Sequence, residues 1–215
     1  MSLQSVLAAA KADLGYTEYP PNSNRTKYGE WYGMNGQPWC VMALAYWFDK
    51  AGEAAAFCGG GRTASCGTLL RWYFEQGLTA PKEKVQKGDI VLMNFRGGAA
   101  PEHCGLVYEV SDGGNVRIQT VEGNTTPGSE GSQDNGGCVA QKTRSLSQVV
   151  GVCRPQYKPE DTAADDVAGH WAEEDIRWCM EKGLFRGYPD GRFQPDRGVT
   201  RAELAVILRR REEMI

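Results

Sequence analysis

The order in which two kinds of apolar pattern appear constrains this chain more than any other feature. Residues 3–14, 40–51 and 67–76 ("GTLLRWYFEQ") carry helical signals and fill the first half. Short runs rich in Val and Ile then take over: "GDIVLMNF" (88–95), "CGLVYEVS" (104–111), "NVRIQTVEGN" (115–124) and "VVGVCRP" (149–155). Turn residues bound most of these runs, and "SDGGN" reads as a hairpin between two of them. Helices first and an antiparallel meander afterwards predict an α+β layer architecture, not alternating βαβ units.

The pattern breaks at "RPQYKPEDTAADD" (154–166), where two prolines and several charges replace any apolar period. The expected organisation is a first domain over residues 1–155, a linker over 156–163 and a small module over 164–215. In the module, "HWAEEDIRWCMEKGL" places Ala172, Ile176, Cys179 and Met180 on one helical face, with Gly183 as a stop. "TRAELAVILRR" opens with Thr200 and Glu203 in capping-box spacing. Two helices in about fifty residues bury a core that is marginal alone.

Composition removes several function classes. A formal charge of −3 supplies no basic face for nucleic acid, and no apolar run approaches the roughly 20 residues that span a bilayer. The start, "MSLQSVLAAAKADLGYTEYP", fits a helix with Leu3, Val6, Leu7, Ala10 and Leu14 on one face better than a signal peptide, so synthesis in the cytoplasm is expected. Seven cysteines show no C-x-x-C pair, and only His103 and His170 accompany them; neither a zinc site, nor another metal, nor a cofactor is expected. The spacing of "CGGGRTASC" permits a Cys58–Cys66 bridge, but reduced thiols throughout are the favoured reading. Cys58, Cys66, Cys104, Cys138, Cys153 and Cys179 read as structural, with Cys104 notable for its position beside His103.

One cysteine stands apart. In "GQPWCVMALAYWF" (36–48), Pro38 cannot continue a preceding helix, so a helix starts near Trp39 or Cys40. Cys40 then sits where unsatisfied N–H groups and the helix dipole favour a thiolate. Burial is the competing reading, since cysteine is among the most buried residue types. His103, at the mouth of a strand in "PEHCGLVYEV", can supply a base. Glu122 and Asn124, two apart in "TVEGN", face the same side of an extended strand, and either can fix the imidazole tautomer.

In this order "GQPWC", "GDIVLMNF", "HCGLVYEV" and "VEGN" resemble the CHAP amidase/peptidase family, papain-like peptidoglycan hydrolases common in phage lysins. The resemblance covers roughly residues 3–155. It implies Cys40 as nucleophile, His103 as base, and Glu122 and Asn124 as orienting residues. The Cys40 backbone N–H is the first oxyanion donor it implies, and Gln37 a weaker second one. Tyr28, Trp31, Tyr32 and Trp39 are candidates for a substrate-groove wall, with core packing as the alternative. Some relatives bind calcium through an acidic loop before the cysteine; here "NSNRTKYGEWYGMNG" holds only Glu30, so no calcium is expected.

The stretch from "DDVAGHWAEEDI" through "GYPDGRFQPD" to "TRAE" is similar to an S-layer homology (SLH) module, a family that binds secondary polymers of Gram-positive cell walls. The similarity implies Trp171 and Arg201 as polymer contacts, with Asp166 near them; the arginine fork suits carboxylate groups. Such modules usually occur in threes. Here one is present, and Ala164 replaces the usual aromatic, so association into a homotrimer is an expectation. The expected function is that of an endolysin-type peptidoglycan hydrolase, an N-acetylmuramoyl-L-alanine amidase or endopeptidase acting outside the membrane at the wall after release. The alternatives are a cysteine peptidase or acyltransferase acting on proteins, and a non-catalytic wall-binding protein.

Overall fold

The computed structural model describes residues 2–111, 116–158, 165–188 and 191–213. The chain forms two compact units, Met1–Lys158 and Pro159–Ile215. Among the described residues no helix is long and apolar enough to cross a membrane.

The first unit is α+β. Its helices are α1 (Leu3–Ala12), α2 (Lys27–Tyr32), α3 (Cys40–Lys50) and α4 (Cys66–Glu75). Its strands are β1 (Ile90–Met93), β2 (His103–Ser111), β3 (Arg117–Thr125), β4 (Cys138–Ser145) and β5 (Val149–Cys153), in the antiparallel order β4-β3-β2-β1-β5. Three of the helices and four of the strands match the expected segments. The expected "SDGGN" turn lies mostly outside the described residues. Helix α2 and strand β4 were not anticipated. Helix α2 is short, and its signal is a Thr26 side-chain cap that accepts from the Gly29 N–H.

Strand alternation sorts the sheet into two faces. Ile90 and Leu92 point into the main core with Leu106, Val121 and Val139, against the helices. Val91 and Met93 join Val107, Ile118 and Val152 in a second cluster. Helix α3 has no polar face: Val41 to Ala45, Trp47 and Phe48 are all buried, which fixes it rigidly against β2 and β3. Tyr157, within the segment read as linker, stacks on Phe48 at 5.6 Å and donates to the Gly88 carbonyl, so it belongs to the first unit.

The second unit contains α5 (Glu173–Glu181) and α6 (Arg201–Glu212). Thr200 and Glu203 form the expected capping box. Only Val167 and Leu184 are buried among its described hydrophobics. No residue of α5 is buried: Ile176 and Cys179 are half-buried and Met180 is exposed, so the expected apolar face is only partly covered.

Candidate active site

Cys40 is the first residue of α3, and the N-cap position, Trp39, offers no side-chain acceptor to the first turn. The leading N–H groups therefore lack both an intrahelical partner and a cap, and they favour negative charge at the sulfur. His103 opens β2 opposite Met93, and Glu122 lies on β3 opposite Ala140; both side chains are fully buried. His103 Nε2 donates to a Glu122 oxygen at 2.9 Å. With Nε2 occupied, Nδ1 is the nitrogen left to serve Cys40, and it has no hydrogen bond of ordinary length among the described residues.

Glycines permit this assembly. A Cβ at Gly105 would stand 2.7 Å from Glu122 Cγ, so only glycine lets the carboxylate lie across β2 toward His103. A Cβ at Gly123 would fall 2.6 Å from the Ala43 Cβ and 2.9 Å from the Trp39 ring, where β3 passes the start of α3.

Charges of alternating sign run through this buried cluster. Arg144, on β4, donates through Nε to Glu122 Oε1 at 2.8 Å and through Nη2 to Oε2, a bidentate pair. Thr120 Oγ1 donates to Oε1 at 2.6 Å. Burial would raise the Glu122 carboxyl, but Arg144 and His103 hold it down to about 2. Burial would likewise lower His103, but the neighbouring Cys40 sulfur and the hydrogen-bonded Glu122 carboxylate raise it to about 9. Hydrogen bonds from the Cys104 and Cys66 thiols, with His103 assisting against burial, hold Cys40 well below the ordinary thiol range. The cluster thus favours a thiolate–imidazolium pair at neutral pH. Phe95 packs on it, 5.8 Å from the His103 ring and 4.7 Å from the Arg144 guanidinium.

Asn124 does not meet the imidazole. The ladder is irregular between Glu122 and Thr125, and Asn124 takes a left-handed φ of 61°, so the two-residue alternation fails there. Its amide instead donates to Asn135 at 2.9 Å and accepts from the Gly137 N–H at 3.3 Å, tying down the segment before β4. Trp39 and Tyr28, expected as groove candidates, are fully buried and stack at 5.0 Å. They are core residues, with the Trp39 Nε1 donating to Glu18 at 3.4 Å. Trp31 is half-buried, packing against Tyr46 with the Arg62 guanidinium 4.1 Å from its ring. Tyr32 is also half-buried, and Gln37 is exposed in the turn before α3.

Arg144, Thr120, Cys66 and Cys104 are the site's neighbours that sequence reasoning did not single out for chemistry. Arg144 had a signal: on β4 the inward positions of "CVAQKTRS" include Lys142 and Arg144, and a charge facing a core needs a partner. All seven cysteines are free, and Cys66 lies against Cys40 instead of bridging to Cys58.

In the second unit Trp171 is 89% exposed. A groove of about 620 Å³ is lined by Trp171, Arg186, Tyr188, Phe193, Arg197 and Arg210, among others. Arg201, the first residue of α6, is exposed and lies outside that lining. The Asp166 carboxylate accepts the Phe193 and Gln194 N–H groups at 2.9 and 2.6 Å, which shapes the loop before α6.

Fold and site together define a two-module protein: an α+β unit with a buried Cys-His-Glu cluster, followed by a small helical unit. The first matches the family model of the CHAP domain over residues 31–124, and the second that of the S-layer homology domain over residues 165–205. The chain therefore carries a CHAP domain followed by an SLH domain. Similar proteins include an S-layer protein of Bacillus licheniformis, 38% identical over 69 residues (32% of this chain and 8% of that protein). A cellulosome-anchoring protein of Acetivibrio thermocellus is 53% identical over 46 residues, which is 21% of this chain and 10% of that protein. Cell surface glycoprotein 1 of the same organism is 51% identical over 39 residues, 18% of this chain and 2% of its own length. The matches span a tenth or less of each of these relatives. A CHAP domain suggests a hydrolase acting on peptidoglycan, and an SLH domain suggests association with the cell surface.

Proposed function

We propose that the protein is an endolysin-type peptidoglycan hydrolase that cleaves an amide of the wall peptide through Cys40 and is held on the wall by its SLH module. The observation that carries the catalytic part is the hydrogen-bonded run Arg144–Glu122–His103, whose imidazole lies in the electrostatic reach of the Cys40 sulfur at a helix start. The Cys40 thiolate attacks the amide carbonyl, and the oxyanion forms beside the unpaired N–H groups of α3's first turn. His103, protonated, gives a proton to the departing amine as the C–N bond breaks, leaving a thioester on Cys40. The now neutral imidazole takes a proton from water, whose oxygen attacks the thioester and releases the carboxylate product and the thiolate. Glu122 holds the tautomer throughout and stabilises the imidazolium, and Arg144 keeps Glu122 ionised. Asn124 supports the wall of the site as a positioning residue. Trp171 and the arginines of the adjoining groove bind the carboxylate-bearing wall polymer.

An N-acetylmuramoyl-L-alanine amidase and an endopeptidase share this chemistry and differ in the amine released. Mass spectrometry of purified walls digested with the full chain reads both activity and bond: free muropeptide stems indicate the amidase, shortened stems or opened cross-bridges the endopeptidase. Cys40→Ala is expected to release neither. Wall digestion at an unchanged rate by that variant would overturn the catalytic reading.

A further inference from the structure

Cys40, Cys66 and Cys104 are 26 to 64 residues apart in sequence pairs, and no motif spacing links them. The fold nevertheless brings them together from three elements: the first residue of α3, the first residue of α4 and the second residue of β2. Their sulfurs all lie within 4.8 Å of one another, and the Cys40 and Cys66 sulfurs are 3.9 Å apart. Zinc–thiolate bonds of about 2.3 Å in a tetrahedron place neighbouring sulfurs about 3.8 Å apart, so this spacing already approximates one face of a metal polyhedron. All three cysteines are buried. Two of them open helices of ten and eleven residues, whose N-terminal dipoles offset the accumulating thiolate charge.

We propose that Cys40, Cys66 and Cys104 form a binding site for a single thiophilic d¹⁰ cation of the zinc class. The three thiolates supply three corners of the coordination shell, and water completes it. Binding displaces the Cys66 and Cys104 thiol protons to solvent and engages the lone pair of Cys40, which is already a thiolate. The ion's presence at this position does not depend on the proposed hydrolysis; its consequence, reversible silencing of the nucleophile, does rest on that reading.

The test uses the reduced full chain, with Zn²⁺ titrated against a chromophoric chelator and Co²⁺ as the spectroscopic probe. One equivalent of Zn²⁺ should bind per chain and protect Cys40 from alkylation by iodoacetamide, with EDTA restoring reactivity. Co²⁺ should give near-ultraviolet thiolate-to-metal absorption. Cys66→Ser and Cys104→Ser, made singly and together and checked by far-UV circular dichroism, should each weaken zinc binding by at least about tenfold. Cys58→Ser, outside the cluster, should not. Two single variants keep the test open if one of them fails to fold. Absent binding, an internal disulfide in place of metal uptake, or affinity unchanged from the parent chain in the Cys66→Ser and Cys104→Ser variants would overturn the site. Because binding is read by absorbance and alkylation, failure of hydrolysis alone would overturn only the proposed function.

Discussion

Arg144 and His103 share one carboxylate, and the protonation of the site follows from how Glu122 divides itself between them. The imidazolium is raised to about 9 despite burial, because Cys40 and Glu122 beside it carry negative charge and Glu122 accepts its Nε2–H. A raised base keeps its proton until the pH climbs through that value, while the depressed thiol is already ionised below it. Hydrolysis should therefore show an alkaline limb near 9 and an acid limb below the ordinary thiol range, both belonging to the coupled pair. Glu122→Gln keeps an acceptor for Nε2–H but removes the charge. Its alkaline limb should move down toward the ordinary imidazole value of about 6.5, as read in a kcat/KM pH profile. An unmoved limb would mean that Glu122 orients the ring without stabilising its charge. Arg144→Met tests the other side of the carboxylate. It leaves a fully buried charge short of its strongest partner, a loss of about 3–5 kcal/mol, which lowers Tm by on the order of 10 °C. Adding Glu122→Leu to Arg144→Met should recover most of that stability while activity stays low; thermal unfolding of the two single variants and the double variant measures the coupling.

At the scale of elements, the site depends on how closely β3 passes the start of α3. Gly123→Ala would push a methyl group toward Ala43 and the Trp39 ring at distances no real Cβ tolerates. Destabilisation of about 1–3 kcal/mol is expected from such overpacking, together with a fall in kcat/KM larger than that at any exposed glycine. Thermal unfolding and hydrolysis rates of Gly123→Ala against Gly128→Ala check this, since a Cβ at exposed Gly128 would meet nothing closer than 3.9 Å and its backbone is not left-handed. The same elements explain what could be read from the residues alone. Strands β1, β2, β3 and β5 were legible because Val and Ile dominate them. Strand β4 was not, because Lys142 and Arg144 occupy inward positions and interrupt the apolar alternation. Those charges face inward because Arg144 has a buried carboxylate to meet, a partner visible only once β3 and β4 pair. Cys40 was legible through Pro38 and the apolar helix behind it. The side of the strand on which Asn124 falls was not, because the irregular pairing and its left-handed backbone break the period on which such a reading depends. Cys66 and Cys104 were read as structural because nothing in their spacing announces that α4 and β2 deliver them to the same sulfur.

For the whole molecule, an insoluble substrate makes attachment and catalysis separable demands. On the proposed function, each of the two compact units carries the residues for one of them. Attachment raises the local concentration of the catalytic unit at the wall without adding any contact at the scissile bond. It should therefore matter for intact walls and not for small soluble substrates. Trp171 is the exposed aromatic beside the arginine-lined groove, and replacing a side chain that is 89% exposed should leave folding nearly unchanged. In the full chain, Trp171→Ala should weaken cosedimentation with purified walls by about 2 kcal/mol, roughly thirtyfold, as for an aromatic anchor at the centre of an interface. Hydrolysis of a soluble muropeptide by the same variant should stay within about twofold of the parent, since the Cys40 cluster lies wholly within the first unit. Cys40→Ala should give the reciprocal pattern, with cosedimentation retained and hydrolysis lost on both substrates. Equal losses on soluble and insoluble substrates in Trp171→Ala would contradict this division, because they would mean that the residue supports the catalytic unit directly instead of bringing it to its substrate.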